Sequence, residues 1–98
     1  MDKKALKAIA HHLNPIVTIG NLGLSTSVIA ELNRAISDHE LIKVRLNIVD
    51  RKLRVEFVNE VSQLLDAQIV QQVGKVVVLY RPNEETRPAL SNITRFGQ

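Results

Sequence analysis

Three groups of residues in this chain have types and spacings that could do chemistry: a turn built on two glycines, a set of lysines and arginines, and three histidines. The turn is Gly20-Asn21-Leu22-Gly23-Leu24, set between the apolar run Ile16-Val17-Thr18-Ile19 and the pair Ser25-Thr26. Its glycines allow positive φ and close approach of a ligand backbone. Ser25 or Thr26 can cap a following helix whose first amides point outward with partial positive charge. Such amides suit a phosphate or another anion, although a G-x-x-G spacing also serves any loop that needs two flexible points.

The basic residues are unevenly placed. Up to Arg54 there are nine (Lys3, Lys4, Lys7, Arg34, Lys43, Arg45, Arg51, Lys52, Arg54) against five acidic residues, whereas from Val55 onward four basic residues meet five acidic ones. A chain whose formal net charge is only +3 therefore has a distinctly basic first half. That is the footprint of a polyanion binder, with a merely solvated charged face as the alternative.

The histidines offer less. His11 and His12 are adjacent and on a helix would point about 100° apart, and no carboxylate stands in a motif relation to His39. Ser25 and Thr26 read as caps rather than nucleophiles, and the glycine turn lacks the Lys-Ser/Thr ending of an NTPase phosphate loop. No cysteine is present, which removes thiolate metal sites, disulfides and cysteine nucleophiles together. No catalytic residue, no metal and no cofactor are expected.

Elements that would hold these groups follow from periodicity. Residues 2–13 read as a helix capped by Asp2, with Leu6, Ile9, Ala10 and Leu13 on one stripe and Lys3, Lys4 and Lys7 elsewhere at mutual spacings of three and four. A strand at 16–19 leads through the glycine turn into a helix at 26–38 with Ile29, Leu32 and Ile36 inward. Strict alternation over 41–48 predicts a half-buried strand with Ile42, Val44, Leu46 and Ile48 on one side and Lys43, Arg45 and Asn47 on the other. Asp50 caps a third helix whose apolar repeat is Leu53, Phe57, Val61, Leu64 and Leu65, with Arg51, Lys52 and Arg54 crowding its first turns. Basic groups there oppose the helix dipole, so local stability did not place them. Strands at 68–73 and 76–80 flank Gly74-Lys75, and the second of them is apolar on both faces. The segment 83–98 reads as an irregular tail, with Leu90, Ile93 and Phe96 able to pack.

The expected fold is thus an α/β domain of order α-β-α-β-α-β-β. Two parallel right-handed crossovers place the second and third helices on one face of a four-stranded mixed sheet ordered 1-2-4-3, with strand 4 antiparallel. The opposite face is left open near Lys43 and Arg45 and covered elsewhere by the first helix. Ninety-eight residues support one such domain with an aliphatic core, since Phe57, Tyr80 and Phe96 are the only aromatics. Their scarcity argues against base stacking on the sheet. The longest apolar run, residues 76–80, is far short of the roughly 20 residues of a membrane span, and the first 15 residues lack a signal peptide's apolar stretch. A soluble, cytoplasmic monomer without membrane attachment is expected.

Three ordered motifs carry a resemblance. Gly20-Asn21-Leu22-Gly23-Leu24-Ser25 follows a strand, His39-Glu40-Leu41-Ile42-Lys43-Val44 opens the next, and Gly74-Lys75-Val76-Val77-Val78-Leu79-Tyr80-Arg81-Pro82 closes the sheet. Over residues 3–82 the chain resembles the CRM domain (chloroplast RNA splicing and ribosome maturation), in the form of the stand-alone bacterial YhbY type. The resemblance implies a fold like the C-terminal domain of translation initiation factor three and RNA binding without catalysis. It further implies ribosomal RNA of the pre-50S particle as partner, and assistance to ribosome assembly. Its RNA-contacting loop falls on Gly20, Asn21, Leu22 and Gly23, next to Leu24. Members often carry a basic residue inside that loop; here Asn21 and Leu22 stand there, so backbone amides and Lys3, Lys4, Lys7, Lys43, Arg45, Arg51, Lys52 and Arg54 must supply the attraction. On this reading residues 1–82 are the RNA-binding domain and 83–98 a C-terminal tail. The competing class is a protein-interaction module that docks a partner on a sheet edge or on the first helix, its basic face only solubilising.

Overall fold

The computed structural model describes residues 1–20 and 23–96. Helix α1 (Lys3–Ala10) opens on Asp2, whose carboxylate accepts the Ala5 amide at 2.8 Å and satisfies one of the helix's otherwise unpaired donors. It ends earlier than the apolar stripe predicts. Asn14 precedes Pro15 and is pushed toward extended backbone, and the chain turns out of the helix through i→i−3 bonds of 3.0 Å from the His12 and Leu13 amides to Ile9 and Ala10. Strand β1 (Pro15–Ile19) and helix α2 (Thr26–His39) follow, the latter capped by Ser25, whose Oγ accepts the Val28 amide at 3.2 Å.

Strand β2 (Leu41–Leu46) is two residues shorter than its alternation predicts. Its pattern nevertheless outlasts the strand: the Asn47 amide donates to Ile19 O at 2.7 Å, and Ile48 stays in the core. Asp50 then caps helix α3 (Arg51–Leu65), accepting the Lys52 and Leu53 amides at 2.9 and 3.1 Å. Strands β3 (Gln68–Val73) and β4 (Val76–Tyr80) form a hairpin, and helix α4 (Asn92–Phe96) ends the described chain.

The sheet order is β1-β2-β4-β3, with β1 and β2 parallel and β4 antiparallel to both of its neighbours, as the apolarity of β4 on both faces requires. Cores lie on the two sides of the sheet. The larger joins α2 and α3 to Val17, Ile19, Ile42, Val44, Leu46, Val77 and Leu79; the smaller joins Leu6, Ile9 and Ala10 of α1 to Leu41, Val70 and Val78. Both crossover helices thus share one face, and α1 covers part of the other.

One stripe differs from expectation. Leu53 and Leu64 are exposed, by 39% and 57%, while Val58 joins Val61 and Leu65 in the core. The buried line of α3 runs Arg54, Val58, Val61, Leu65, at spacings of four, three and four. Arg54 therefore stands at the head of an apolar stripe. Its half-buried guanidinium completes that stripe by donating from Nη1 to Ile48 O at 2.7 Å and Val49 O at 2.8 Å.

The segment after Pro82 is not irregular throughout. It folds back onto the junction of α2 and β2, where Glu40 holds a positive φ of 63°. The Glu40 carboxylate accepts the Asn83 amide at 2.8 Å and the Ser91 hydroxyl. Thr86 Oγ1 donates to Asp38 O, and Asn92 Nδ2 donates to Leu41 O, each at 2.7 Å. Ile93 packs on the smaller core, whereas Phe96 remains 38% exposed. A short polar segment with few apolar residues shows no helical period, so side-chain bonds to buried carbonyls decided this outcome.

At the other end of β1 the glycine turn closes with a bond of 3.0 Å from the Gly23 amide to Gly20 O. Gly23 has φ +77°, and a Cβ there would lie 3.1 Å from the Phe57 ring, whereas a Cβ on Gly20 would meet nothing within 4 Å. Gly23→Ala is expected to cost about 1–2 kcal/mol from the left-handed backbone alone, and Gly20→Ala far less. Paired thermal melts check this contrast.

A second expectation concerns Tyr80, whose phenol is pushed above its ordinary value of 10.0 by burial first and by the negative charge of Glu40 second. The folded chain holds that proton more tightly than the unfolded chain. The associated stability is intact below the unfolded value and is lost as pH rises through the folded one. Because Tyr80 is the single tyrosine, tyrosinate absorbance reads it cleanly. Glu40→Gln should lower the midpoint without returning it to the ordinary value, since burial is the larger cause.

Candidate nucleic-acid interface

The sheet order brings scattered loops to one pole. β1 and β2 end there, the β3–β4 turn lies there, and α2 and α3 both start there. Backbone bonds join these loops: Leu46 N donates to Lys75 O at 2.6 Å, and Asn47 N donates to Ile19 O at 2.7 Å. The Phe57 ring of α3 abuts Gly23, which ties the glycine turn to the third helix. Two helix N-termini therefore point their partial positive charge toward the same end of the molecule.

Basic side chains frame this pole on both sides of the sheet. On the α3 side a cleft of about 390 Å³ is lined by Arg51, Arg54, Val55, Gln72 and Gly74. On the α1 side a cleft of about 420 Å³ lies over the uncovered part of the sheet, with Lys43, Arg45, Gln71, Val73 and Val76 among its walls. Neither cleft has a carboxylate in its lining. The Gly74-Lys75 turn separates the two, with Arg51 and Arg54 on one flank and Arg45 on the other, while Lys43 sits further down the sheet, level with Pro15 and Val78. An acid-free basic concavity concentrates field and attracts an anionic polymer without requiring a base-specific contact.

The residues singled out from sequence divide among these places. Gly20, Gly23 and Leu24 lie at the pole, Gly20 exposed and Leu24 packed against the larger core. Asn21 and Leu22 lie outside the described residues. Arg51 and Lys52 are exposed at the start of α3, and Arg54 has part of its donor set committed to the Ile48 and Val49 carbonyls. Lys43 and Arg45 line the cleft across the sheet. Lys3, Lys4 and Lys7 are exposed on α1, whose apolar side packs on Leu41, Val70 and Val78. The sheet therefore stands between them and the α3 cations.

Lys75, exposed in the hairpin turn, is an addition to this set. Its signal was present in the sequence: with strand order 1-2-4-3, the turn between strands 3 and 4 must fall at the end where strands 1 and 2 finish. Among the described residues no cluster of three or more His, Asp or Glu side chains could hold a metal ion. No helix among them is long and apolar enough to cross a membrane.

The chain is 43% identical over 96 residues to a Pseudomonas aeruginosa protein named "Probable RNA-binding protein PA4753", covering 98% of this chain and 92% of that one. It is 44% identical over 86 residues to a Haemophilus influenzae protein named "RNA-binding protein", covering 88% and 87%. Among solved structures, a Staphylococcus aureus protein described as a candidate RNA-binding protein superposes with a TM-score of 0.70 at 31% identity, over 87% of this chain and 88% of that one. Residues 1–81 match the family model described as the CRS1 / YhbY (CRM) domain, and the chain belongs to that family.

Proposed function

We propose that this chain is a non-catalytic RNA-binding protein that engages ribosomal RNA in precursors of the large subunit and assists their assembly. The observation that carries the reading is the pair of clefts flanking the hairpin tip, one lined by Arg51 and Arg54 and the other by Arg45 and, further down the sheet, Lys43, neither with a carboxylate. The names of the relatives support its RNA-binding part. In this reading residues 1–82 bind, residues 83–98 are a C-terminal tail, and Asn83, Thr86, Ser91 and Asn92 of that tail brace the α2–β2 junction. The turn from Gly20 to Leu24 positions the sugar-phosphate backbone through its amides, and the basic clefts supply most of the attraction. Lys3, Lys4 and Lys7 add long-range field from α1. The protein acts as a cytoplasmic monomer.

Electrostatic attraction of this kind has a measurable signature. Binding to a large-subunit ribosomal RNA fragment should weaken with salt by a log–log slope of about −0.7 for each single-strand phosphate neutralised. The double variant Arg51→Glu, Lys75→Glu should bind more weakly and show a shallower slope, with an unchanged circular dichroism spectrum. Affinity indistinguishable from that for a neutral polymer at low salt would end the RNA reading in favour of a protein-docking module. Placing Asp at both Asn21 and Leu22 should likewise reduce binding sharply in a folded protein; unchanged affinity would remove the loop from the interface while leaving the clefts.

A further inference from the structure

A third concavity lies at the opposite end of the sheet, where α4 packs beside the start of β1 and the end of α2. It encloses about 330 Å³, and His12, His39, Lys43, Asn92, Arg95 and Phe96 supply its polar and aromatic walls, with no carboxylate among the lining residues. The His12 ring stacks on Phe96 with centroids 6.4 Å apart and 14° between planes, and the Arg95 guanidinium sits 5.1 Å from the Phe96 centroid. Of the chain's three aromatics, Phe57 is turned toward Gly23 and Tyr80 packs in the smaller core. Phe96 alone offers an exposed ring beside cations.

We propose that this concavity is a site for a single nucleotide unit, its base against the Phe96–His12 stack and its phosphate between Lys43 and Arg95. The volume lies at the small end of the roughly 300–1,000 Å³ typical of ligand sites. His39 donates from Nδ1 to Leu90 O at 2.7 Å, so in the neutral ring Nε2 is left as an acceptor for an exocyclic amine. Asn92 is anchored by its bond from Nδ2 to Leu41 O, which fixes the floor of the site. Lys43, Leu13, Asn14 and Pro15 line both this concavity and the cleft over the open sheet, so the two are contiguous. In its fuller form the inference rests on the RNA reading: a strand held at the basic pole crosses the open sheet face and places one unstacked nucleotide here. A free mononucleotide has the same chemistry and is the other source.

Titrations followed by side-chain and amide NMR separate these cases, with adenosine monophosphate, inorganic phosphate and a single-stranded ribosomal RNA fragment as probes. Adenosine monophosphate should shift His12, His39 and Phe96 ring signals while leaving the Arg51 and Lys75 amides in place, and inorganic phosphate should leave the Phe96 ring unmoved. Phe96→Leu should weaken nucleotide binding by about tenfold, the scale of one lost base–aromatic stack. Arg95→Glu, an exposed position, tests the phosphate contact if the Phe96 variant fails to fold. The RNA fragment should move the same ring signals together with the pole. RNA binding at the pole with the concavity silent to all three probes would overturn the proposal and leave the RNA reading standing. Ring shifts with the mononucleotide in a protein that binds no RNA would support the site, assign it to free nucleotide, and remove the RNA reading instead.

Discussion

Val77 and Leu79 face one side of the sheet and Val78 the other, so β4 needs protein packed against both of its surfaces. That demand places it between β2 and β3, not at an edge, and it separates the chain into two unequal layers. The thicker layer is built by α2 and α3. The thinner is left to α1 and α4, a pair too short to cover the sheet. Everything exposed on that side, including Arg45 and the trough beside it, follows from the mismatch between a central strand apolar on both sides and a short first helix.

A strand buried on both sides also dictates polarity along the sheet. Because β1 and β2 are parallel, both must hand the chain to a returning helix at the same end, and the amide-rich starts of α2 and α3 collect there. Basic residues in the first turn of α3 cost the helix some tenths of a kcal/mol against its dipole. Arg54 offsets part of this by serving the Ile48 and Val49 carbonyls. Among the described residues its neighbours Arg51 and Lys52 have no such side-chain bonds to the backbone, and both stay exposed.

The fold could be read from sequence because each of its main elements announced itself by period: alternation in β2, two-sided apolarity in β4, and caps at Asp2, Ser25 and Asp50. Two things were hidden. In α3, Leu53 and Leu64 look like core residues by type, yet the buried line passes through Arg54 and Val58, because a guanidinium with carbonyl partners can occupy the end of an apolar stripe. In the segment after Pro82, order comes from long-range bonds such as those to Glu40 and Leu41, which leave no periodic trace. The site was half legible for a related reason. Glycines and charges are visible one by one, but that Arg51 and the Gly74-Lys75 turn meet at one end of the sheet follows only once strand order is known.

The hairpin between Val73 and Val76 is only two residues wide at its tip, yet it divides the two basic clefts. In relief it is a ridge with a furrow on either flank. A stiff rod can rest on the crest and in one furrow, but it cannot enter both, because the two open to opposite sides of the sheet. Only a polymer that bends sharply within a few ångströms can fill them together. If polyanions bind here as proposed, the shape of the tip would favour flexible ones over stiff ones, before any charge or base is compared.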